Sequence, residues 1–143
     1  MLDTGLLIHA LRGSPAFTVI DKNLGLTTGG FRPVISIISQ GELLGFSKKR
    51  KWGAGKVSNL SNLLQNVVII PIDQDRIADT YSDLEYQNIS NGLNLGQNDL
   101  WIAATSIEYG LQILTFDGDF ERAPKTVKYI RFDQDNGDEL SRN

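Results

Sequence analysis

Four carboxylate residues lie at the borders between predicted strands and predicted helices. In chain order they are Asp3, Glu42, Asp99 and Asp117. Carboxylates gathered at one edge of a sheet repel one another, so without a cation at least one pKa should rise. Carboxylate oxygens suit Mg²⁺ or Mn²⁺, and such an ion polarises a phosphoryl oxygen and activates water for attack on a phosphodiester. If the fold brings the four acids together, they indicate metal-assisted phosphoryl chemistry.

Each acid taken alone also has a purely structural interpretation. Asp3 can cap the helix that follows it, and Asp99 suits the positive end of a helix dipole. Glu42 lies in the first turn of a predicted helix, and Ser39-Gln40-Gly41-Glu42 matches a capping box in which Glu42 bonds back to its own backbone. Asp117-Gly118-Asp119 has the composition of a common turn. The acids favour a catalytic role over a structural one only if all of them lie together in the fold.

The pattern of apolar residues predicts the elements that must position these acids. Helical spacing predicts helices at Leu6–Leu11, Pro15–Leu26, Ser39–Lys51, Val57–Leu64, Asp73–Ile89 and Asp99–Tyr109. Short apolar runs predict strands at Val34–Ile38, Val67–Ile70, Gln112–Thr115 and Val127–Phe132. Such strands separated by helices indicate an α/β protein with a parallel sheet covered on both faces. Ligands bind such sheets beyond the carboxyl ends of the strands, the region where the four acids are expected.

Composition narrows the chemistry further. With 143 residues, of which 41% are hydrophobic and 22% charged, the chain fits one globular domain. It has no cysteine and a single histidine, His9, which nearly excludes a zinc site or a Cys/His dyad. No P-loop motif occurs. No apolar run reaches the roughly 20 residues of a membrane span and the N-terminus lacks a secretion signal, so we expect a cytoplasmic protein without a membrane partner.

Three segments together resemble a known family. "LDTGLLIHALRGSP", "ISIISQGELLGF" and "NDLWIAATSIEYGLQILTFDGDFERAP" resemble, in that order, the motifs of PIN-domain ribonucleases, and most closely the VapC-type toxins of prokaryotic toxin–antitoxin pairs. The resemblance implies a three-layer α/β/α fold with a central, mainly parallel sheet of four to five strands. It implies a nuclease domain over residues 1–132, followed by a polar, flexible tail over residues 133–143.

The resemblance also implies an activity and its residues. The family consists of Mg²⁺- or Mn²⁺-dependent endoribonucleases that cut single-stranded stretches of RNA. Asp3, Glu42, Asp99 and Asp117 match the acidic quartet, with Asp3 and Asp99 as the most direct metal ligands. Asp119 would be at most an outer or water-mediated ligand, and Thr4 and Thr115 match the small polar residues that support the carboxylates. Such toxins are homodimers, silenced by a cognate antitoxin that covers the site and often inserts a basic residue into it.

Two departures from the family pattern stand out. Gly5 occupies a position where the family often has Asn or Ser, so any polar role there is lost. Only Met1 and Leu2 precede Asp3, whereas the first strand usually brings several apolar residues. We therefore expect either a very short first strand or a start of the chain further upstream.

A basic block provides a candidate contact for RNA, although the net charge of the chain is −3. Lys48, Lys49, Arg50 and Lys51 are consecutive, and Trp52 follows them. In the structural interpretation these cations complement the negative end of a helix dipole and Trp52 packs on a neighbour. In the functional interpretation they contact the RNA backbone while the indole ring stacks on a base. Both interpretations remain open at this point.

Three other functions compete with a nuclease. A receiver-like signalling domain also binds Mg²⁺ in an acidic cluster, but the second strand lacks an acceptor aspartate and no lysine ends the Gln112–Thr115 strand. A phosphatase with an aspartate nucleophile would carry its D-x-D motif on the first strand of a larger domain. A PIN fold that binds RNA or a partner without cleaving is the closest alternative, and the intact quartet argues against it.

Overall fold

The computed structural model describes residues 1–143 and contains six α-helices and five strands. The helices are α1 Thr4–Arg12, α2 Pro15–Leu24, α3 Ile37–Lys49, α4 Ala54–Gln65, α5 Asp75–Ser90 and α6 Gln97–Glu108, and a 3₁₀ helix covers Gly118–Arg122. The strands are β1 Val34–Ser36, β2 Val68–Ile70, β3 Ile113–Thr115, β4 Tyr129–Phe132 and β5 Glu139–Arg142. None of the helices is both long and apolar enough for a membrane crossing.

The strands form two sheets with the N-terminal segment between them. Strands β1 and β2 pair in parallel, β3 and β4 pair in parallel, and β5 is antiparallel to β4. The Leu2 amide donates to the Val34 carbonyl at 2.8 Å, and the Asp3 amide donates to the Leu114 carbonyl at 3.0 Å. The α/β class is therefore confirmed, while the sheet of four to five strands is present as separate sheets of two and three strands.

Two hydrophobic cores lie on opposite faces of β3 and β4. Alternate residues of a strand face opposite sides: Leu114 and Ile130 pack with the core of α1 to α4, whereas Ile113 and Tyr129 pack with the core of α5 and α6. Both cores contain fully buried aliphatic side chains from the helices. This burial from both sides fixes the carboxyl end of β3, where Asp117 follows.

Helix α3 begins two residues earlier than the apolar pattern predicts. Ser36 is the N-cap, and its hydroxyl accepts the Ile38 amide at 3.2 Å. Ser39 therefore lies inside the helix and is buried, so the capping box predicted for Ser39 and Glu42 is wrong. The β-branched residues after Ser36 favour a strand locally, but the serine cap ends it. Glu42 consequently lies in the second helical turn, with its carboxylate free for partners elsewhere in the chain.

The last residues contain a strand that the sequence pattern does not show. The Asp133 carboxylate accepts the amides of Asp135 and Asn136 at 2.9 and 3.0 Å, which closes a turn. Strand β5 then returns along β4, and the Asn143 side chain donates to the Val127 carbonyl at 2.7 Å. Leu140 is the only apolar residue of β5 and is exposed, so no apolar alternation marks this strand. The domain boundary at residue 132 stays a prediction.

Candidate active site

An open cleft of about 680 Å³ lies beyond the carboxyl ends of the Met1–Asp3 segment and β3. All four predicted acids line it: Asp3, Glu42, Asp99 and Asp117. The predicted supporting residue Thr4 also lines the cleft, and the Thr115 hydroxyl donates to the Asp3 carboxylate. Since these residues come from four separate parts of the chain, only the tertiary fold brings them together.

Asp3 is the most buried of the four acids, with 6% of its surface exposed. One carboxylate oxygen accepts the Thr4 amide at 2.7 Å, which makes Asp3 the N-cap of α1. The other oxygen accepts the Thr115 hydroxyl at 2.8 Å. Burial raises the pKa of Asp3, and the charges of Glu42 and Asp117 raise it further, against the two hydrogen bonds. Asp3 thus has both a structural and an electrostatic role.

Glu42 is held by partners from two other helices. The Thr4 hydroxyl donates to one carboxylate oxygen, and the Asn98 side-chain amide donates to the other at 2.6 Å. These bonds orient Glu42 toward the cleft instead of toward its own helix. Sequence reasoning missed Asn98, and its position next to Asp99 at the start of a helix was the one available signal.

Asp99 lies in the first turn of α6, whose N-cap is Gly96. The Gly96 backbone amide acts to lower the pKa of Asp99, as expected for an acidic side chain that faces the N-cap amide of its own helix. The approach is so close that a Cβ on residue 96 would lie 2.8 Å from an Asp99 carboxylate oxygen. Burial raises the pKa of Asp99 to about 7, with further contributions from the charges of Asp3, Asp117 and Glu42.

Asp117 and Asp119 occupy the turn after β3. One Asp117 oxygen accepts the Asp119 amide at 2.8 Å and so caps the 3₁₀ helix. Asp119 forms an ion pair with Arg122 at 2.6 Å. Single carboxylate oxygens of Asp99, Asp117 and Asp119 nevertheless lie within 4.8 Å of one another. Asp119 thus lies closer to the other acids than its predicted outer position implied. The assignment of direct metal ligands among these acids stays a prediction.

The donor set of the cleft fits a hard divalent cation. Every candidate ligand is a carboxylate, the group that Mg²⁺ and Mn²⁺ prefer. Single oxygens of Asp99, Asp117 and Asp119 lie within 4.8 Å of one another. The pKa values of Asp3 and Asp99 are raised in part because neighbouring carboxylates repel their negative charge. A bound cation would relieve this repulsion.

The predicted basic block divides between two surfaces. Lys49 lines the acidic cleft, and Arg50 lines the neighbouring cavities. Lys48 and Lys51 are exposed and line none of the cavities. The structure also adds Arg131 to the cleft: it pairs with Glu121 at 2.9 Å while its buried Nε has no hydrogen-bond partner. No motif marked Arg131, which lies in a strand of ordinary composition.

Comparisons with known proteins identify the family of the domain and its fold. The model of the PIN domain family matches residues 1–126. The VapBC2 complex of Rickettsia felis, solved with a DNA fragment from its promoter, aligns with a TM-score of 0.79 and 24% identity, covering 93% of this chain and 98% of that chain. VapBC-1 of nontypeable Haemophilus influenzae aligns with a TM-score of 0.77 and 22% identity, covering 96% and 98%.

A third similar structure is VapBC-5 of Mycobacterium tuberculosis, a member of the VapBC family of toxin–antitoxin systems. It aligns with a TM-score of 0.65 and 23% identity, covering 91% of this chain and 95% of that chain. At these identities the structural likeness shows a shared fold. A comparison with curated proteins found no match.

Proposed function

This chain belongs to the PIN domain family, and from that premise we propose that it is a VapC-type toxin that cleaves phosphodiester bonds in single-stranded regions of RNA. The proposed endoribonuclease uses Mg²⁺ or Mn²⁺. The observation that carries the proposal is the convergence of Asp3, Glu42, Asp99 and Asp117 on one open cleft. A cleft exposed to solvent can admit a polymer, whereas an enclosed cavity could admit only a small molecule.

The chain's own residues divide the work at this site. In the proposal, Asp3 and Asp99 hold the metal ion, while Asp117 and Glu42 complete the cluster directly or through bound water. Thr115 and Thr4 orient Asp3 and Glu42 through the hydrogen bonds described above. The ion, when bound, polarises a phosphoryl oxygen and lowers the pKa of a water molecule. Lys49, which lines the cleft, contacts the phosphate backbone of the RNA.

The similarity to VapBC complexes supports a protein partner and an assembly. We propose that a small cognate antitoxin covers the acidic cleft and that the toxin is a homodimer acting in the cytoplasm. We also propose that the two sheets, which the Met1–Asp3 segment joins, together form the central layer of a three-layer α/β/α fold.

Incubation of a labelled structured RNA tests the nuclease directly. The protein is incubated with Mn²⁺, with EDTA, or as Asp99→Asn with Mn²⁺. We expect cleavage only by the wild-type protein with Mn²⁺. Equal cleavage in all three reactions would indicate a contaminating nuclease and contradict the proposal. Binding of the RNA without cleavage under any condition would instead favour the non-catalytic RNA-binding module.

A further inference from the structure

A basic groove continues from the acidic cleft across α1, α3 and α4. We define the basic groove by Arg12, Phe46, Arg50, Trp52 and Lys56, which line a cavity of about 540 Å³. A smaller cavity of about 240 Å³, lined by Arg12, Phe46 and Arg50 among others, connects it to the acidic cleft. The Phe46 side chain borders all three cavities. The surface is therefore continuous from the carboxylates to Lys56.

The cations of the basic groove have no acidic partners. No Asp or Glu lines its two cavities, and the four salt bridges of the structure involve Arg76, Arg122, Arg131 and Arg142. The guanidinium groups of Arg12 and Arg50 lie 6.0 and 5.4 Å from the centroid of the same Phe46 ring. Two positive charges on one ring repel each other, and an anion between them would remove that repulsion.

Helix dipoles do not account for this arrangement. Arg12 and Arg50 lie at the ends of α1 and α3, where a cation complements the dipole wherever its side chain points. Lys56, however, lies in the first turn of α4, where the dipole disfavours a positive charge. All three cations nevertheless line the same cavity, which is the arrangement expected for binding an anion.

The aromatic residues of the basic groove narrow the class of anion. The rings of Phe46 and Trp52 meet edge to face, with centroids 5.7 Å apart and planes at 88°. Both residues are only partly buried and line the cavity, so part of each ring is accessible to a ligand. Cations that follow a backbone, combined with aromatic rings that stack on bases, are the features of surfaces that bind single-stranded nucleic acid.

We infer that the basic groove binds RNA nucleotides adjacent to the bond cleaved in the acidic cleft, with phosphates on Arg12, Arg50 and Lys56 and a base against Trp52. The assignment of these nucleotides as neighbours of the cleaved bond rests on the proposed function. Glu42 lies on α3 and Arg50 is the C-cap of the same helix, so the two are eight residues and therefore about 12 Å apart along its axis. One extended RNA segment can reach both places.

RNA binding in EDTA, where no metal-dependent cleavage occurs, tests the basic groove. The probe is a short fluorescent oligouridylate, titrated at several salt concentrations. The test variant is Arg50→Gln/Lys56→Gln, and the matched control is Lys48→Gln/Lys51→Gln, which removes the same charge from cations outside every cavity. We expect the test variant to bind about tenfold or more weakly and to lower the salt slope by about 1.4, the value for two phosphate contacts to a single strand. The control should bind within about threefold of wild type.

The fluorescence of Trp52 provides a second measurement. In a Trp101→Phe background Trp52 is the only remaining tryptophan, and we expect the oligouridylate to quench its emission. Quenching should persist in the control variant and require higher RNA concentration in the test variant. A purely structural role for the groove residues would leave the salt slope and the quenching unchanged.

The other possible outcomes distinguish failure of this inference from failure of the proposed function. Equal weakening of both double variants would show diffuse charge attraction and overturn the inference. Unchanged RNA binding in the test variant would also overturn it and would favour a protein partner for these cations. A wild-type protein that does not bind the RNA would overturn it as well. Cleavage with Mn²⁺ is measured separately. Wild-type protein that binds through the groove but never cleaves would refute the nuclease and leave the groove intact.

Discussion

The Thr115 hydroxyl donates a 2.8 Å hydrogen bond to the Asp3 carboxylate, across 112 positions of the chain. The same hydroxyl oxygen accepts the Asp117 amide at 2.8 Å. One buried side chain therefore fixes both the most buried acid and the backbone of the acid that follows β3. Without this bond, the buried Asp3 carboxylate would lose one of its two hydrogen bonds and have little contact with water to replace it. We therefore expect Thr115 to contribute to both stability and metal binding.

Thr115→Val should destabilise the metal-free protein by about 1–3 kcal/mol, because it removes a hydrogen bond to a buried carboxylate at nearly constant volume. Urea unfolding in EDTA at neutral pH measures the change. Thr105→Val is the matched control, since Thr105 is also buried but its hydroxyl donates to the Trp101 carbonyl within α6. A similar loss for both variants would show that the bond to Asp3 has no special importance.

Asp99→Asn should stabilise the metal-free protein at neutral pH and above. The pKa of Asp99 rises from its ordinary 3.8 to about 7 in the folded protein, so between these values the folded state binds a proton that the unfolded chain has released. Stability therefore falls as the pH rises through this interval and stays lower above it. The melting temperature of the variant in EDTA should exceed that of wild type at pH 7.5, and the difference should vanish near pH 4.

Metal addition should reverse this order. A cation requires ionised carboxylates, so Mn²⁺ should raise the melting temperature of wild type at pH 7.5 and have little effect on Asp99→Asn. Asp83→Asn, at an exposed position of α5, controls for the loss of one charge and should behave as wild type. A wild-type protein that is equally stable at pH 5 and pH 7.5 in EDTA would contradict the electrostatic account.

Asp117→Asn should reduce RNA cleavage far more than Asp119→Asn. We expect a loss of well over about a hundredfold for a direct ligand, against about 10- to 100-fold at most for an outer position. The charge of Asp119 is already paired with Arg122 at 2.6 Å, whereas the Asp117 carboxylate has no cationic partner among the salt bridges. Cleavage rates with Mn²⁺ compare the two variants. A larger loss for Asp119→Asn would move the centre of the site toward the 3₁₀ helix.

The sequence predicted which acids converge because strand ends and helix starts are local features. Asp3 and Asp117 directly follow apolar segments, and Asp99 lies in the first turn of α6. In a parallel α/β fold these positions share one edge of the sheet. The resemblance to PIN-domain ribonucleases is likewise confirmed over residues 1–126.

What the sequence could not show depends on tertiary contacts. Asn98 donates to Glu42, which lies 56 positions away in the chain, and Arg131 reaches the cleft from β4. The division of the basic block is equally nonlocal, because whether Lys49 or Lys48 faces the cleft depends on how α3 packs against α1. Strand β5 lacks apolar alternation, and its only partner strand is β4.

Gly96→Ala should impair the metal site while leaving the fold intact. Residue 96 is the N-cap of α6, with φ of −68° and ψ of 152°, a conformation that alanine adopts freely. The added Cβ would, however, lie 2.8 Å from an Asp99 carboxylate oxygen, and a side-chain end can rotate away more cheaply than the backbone can move. The displaced carboxylate would no longer meet Asp117 across the cleft. We therefore expect the melting temperature in EDTA to change only by the general effect of alanine at an N-cap, but a much smaller stabilisation by Mn²⁺ and a loss of cleavage.

Gly53→Ala is a closely matched control for this change. Gly53 is the N-cap of α4 with φ of −71° and ψ of 169°, and it also lacks a side-chain capping bond. A Cβ there would meet no atom within 4 Å, so any general effect of alanine at an N-cap, up to about 1 kcal/mol, appears in both variants. Only Gly96→Ala should lose the response to Mn²⁺. If both variants respond to Mn²⁺ as wild type does, the position of the Asp99 carboxylate beside Gly96 is not required for metal binding, and the ion must depend on the other acids of the cleft.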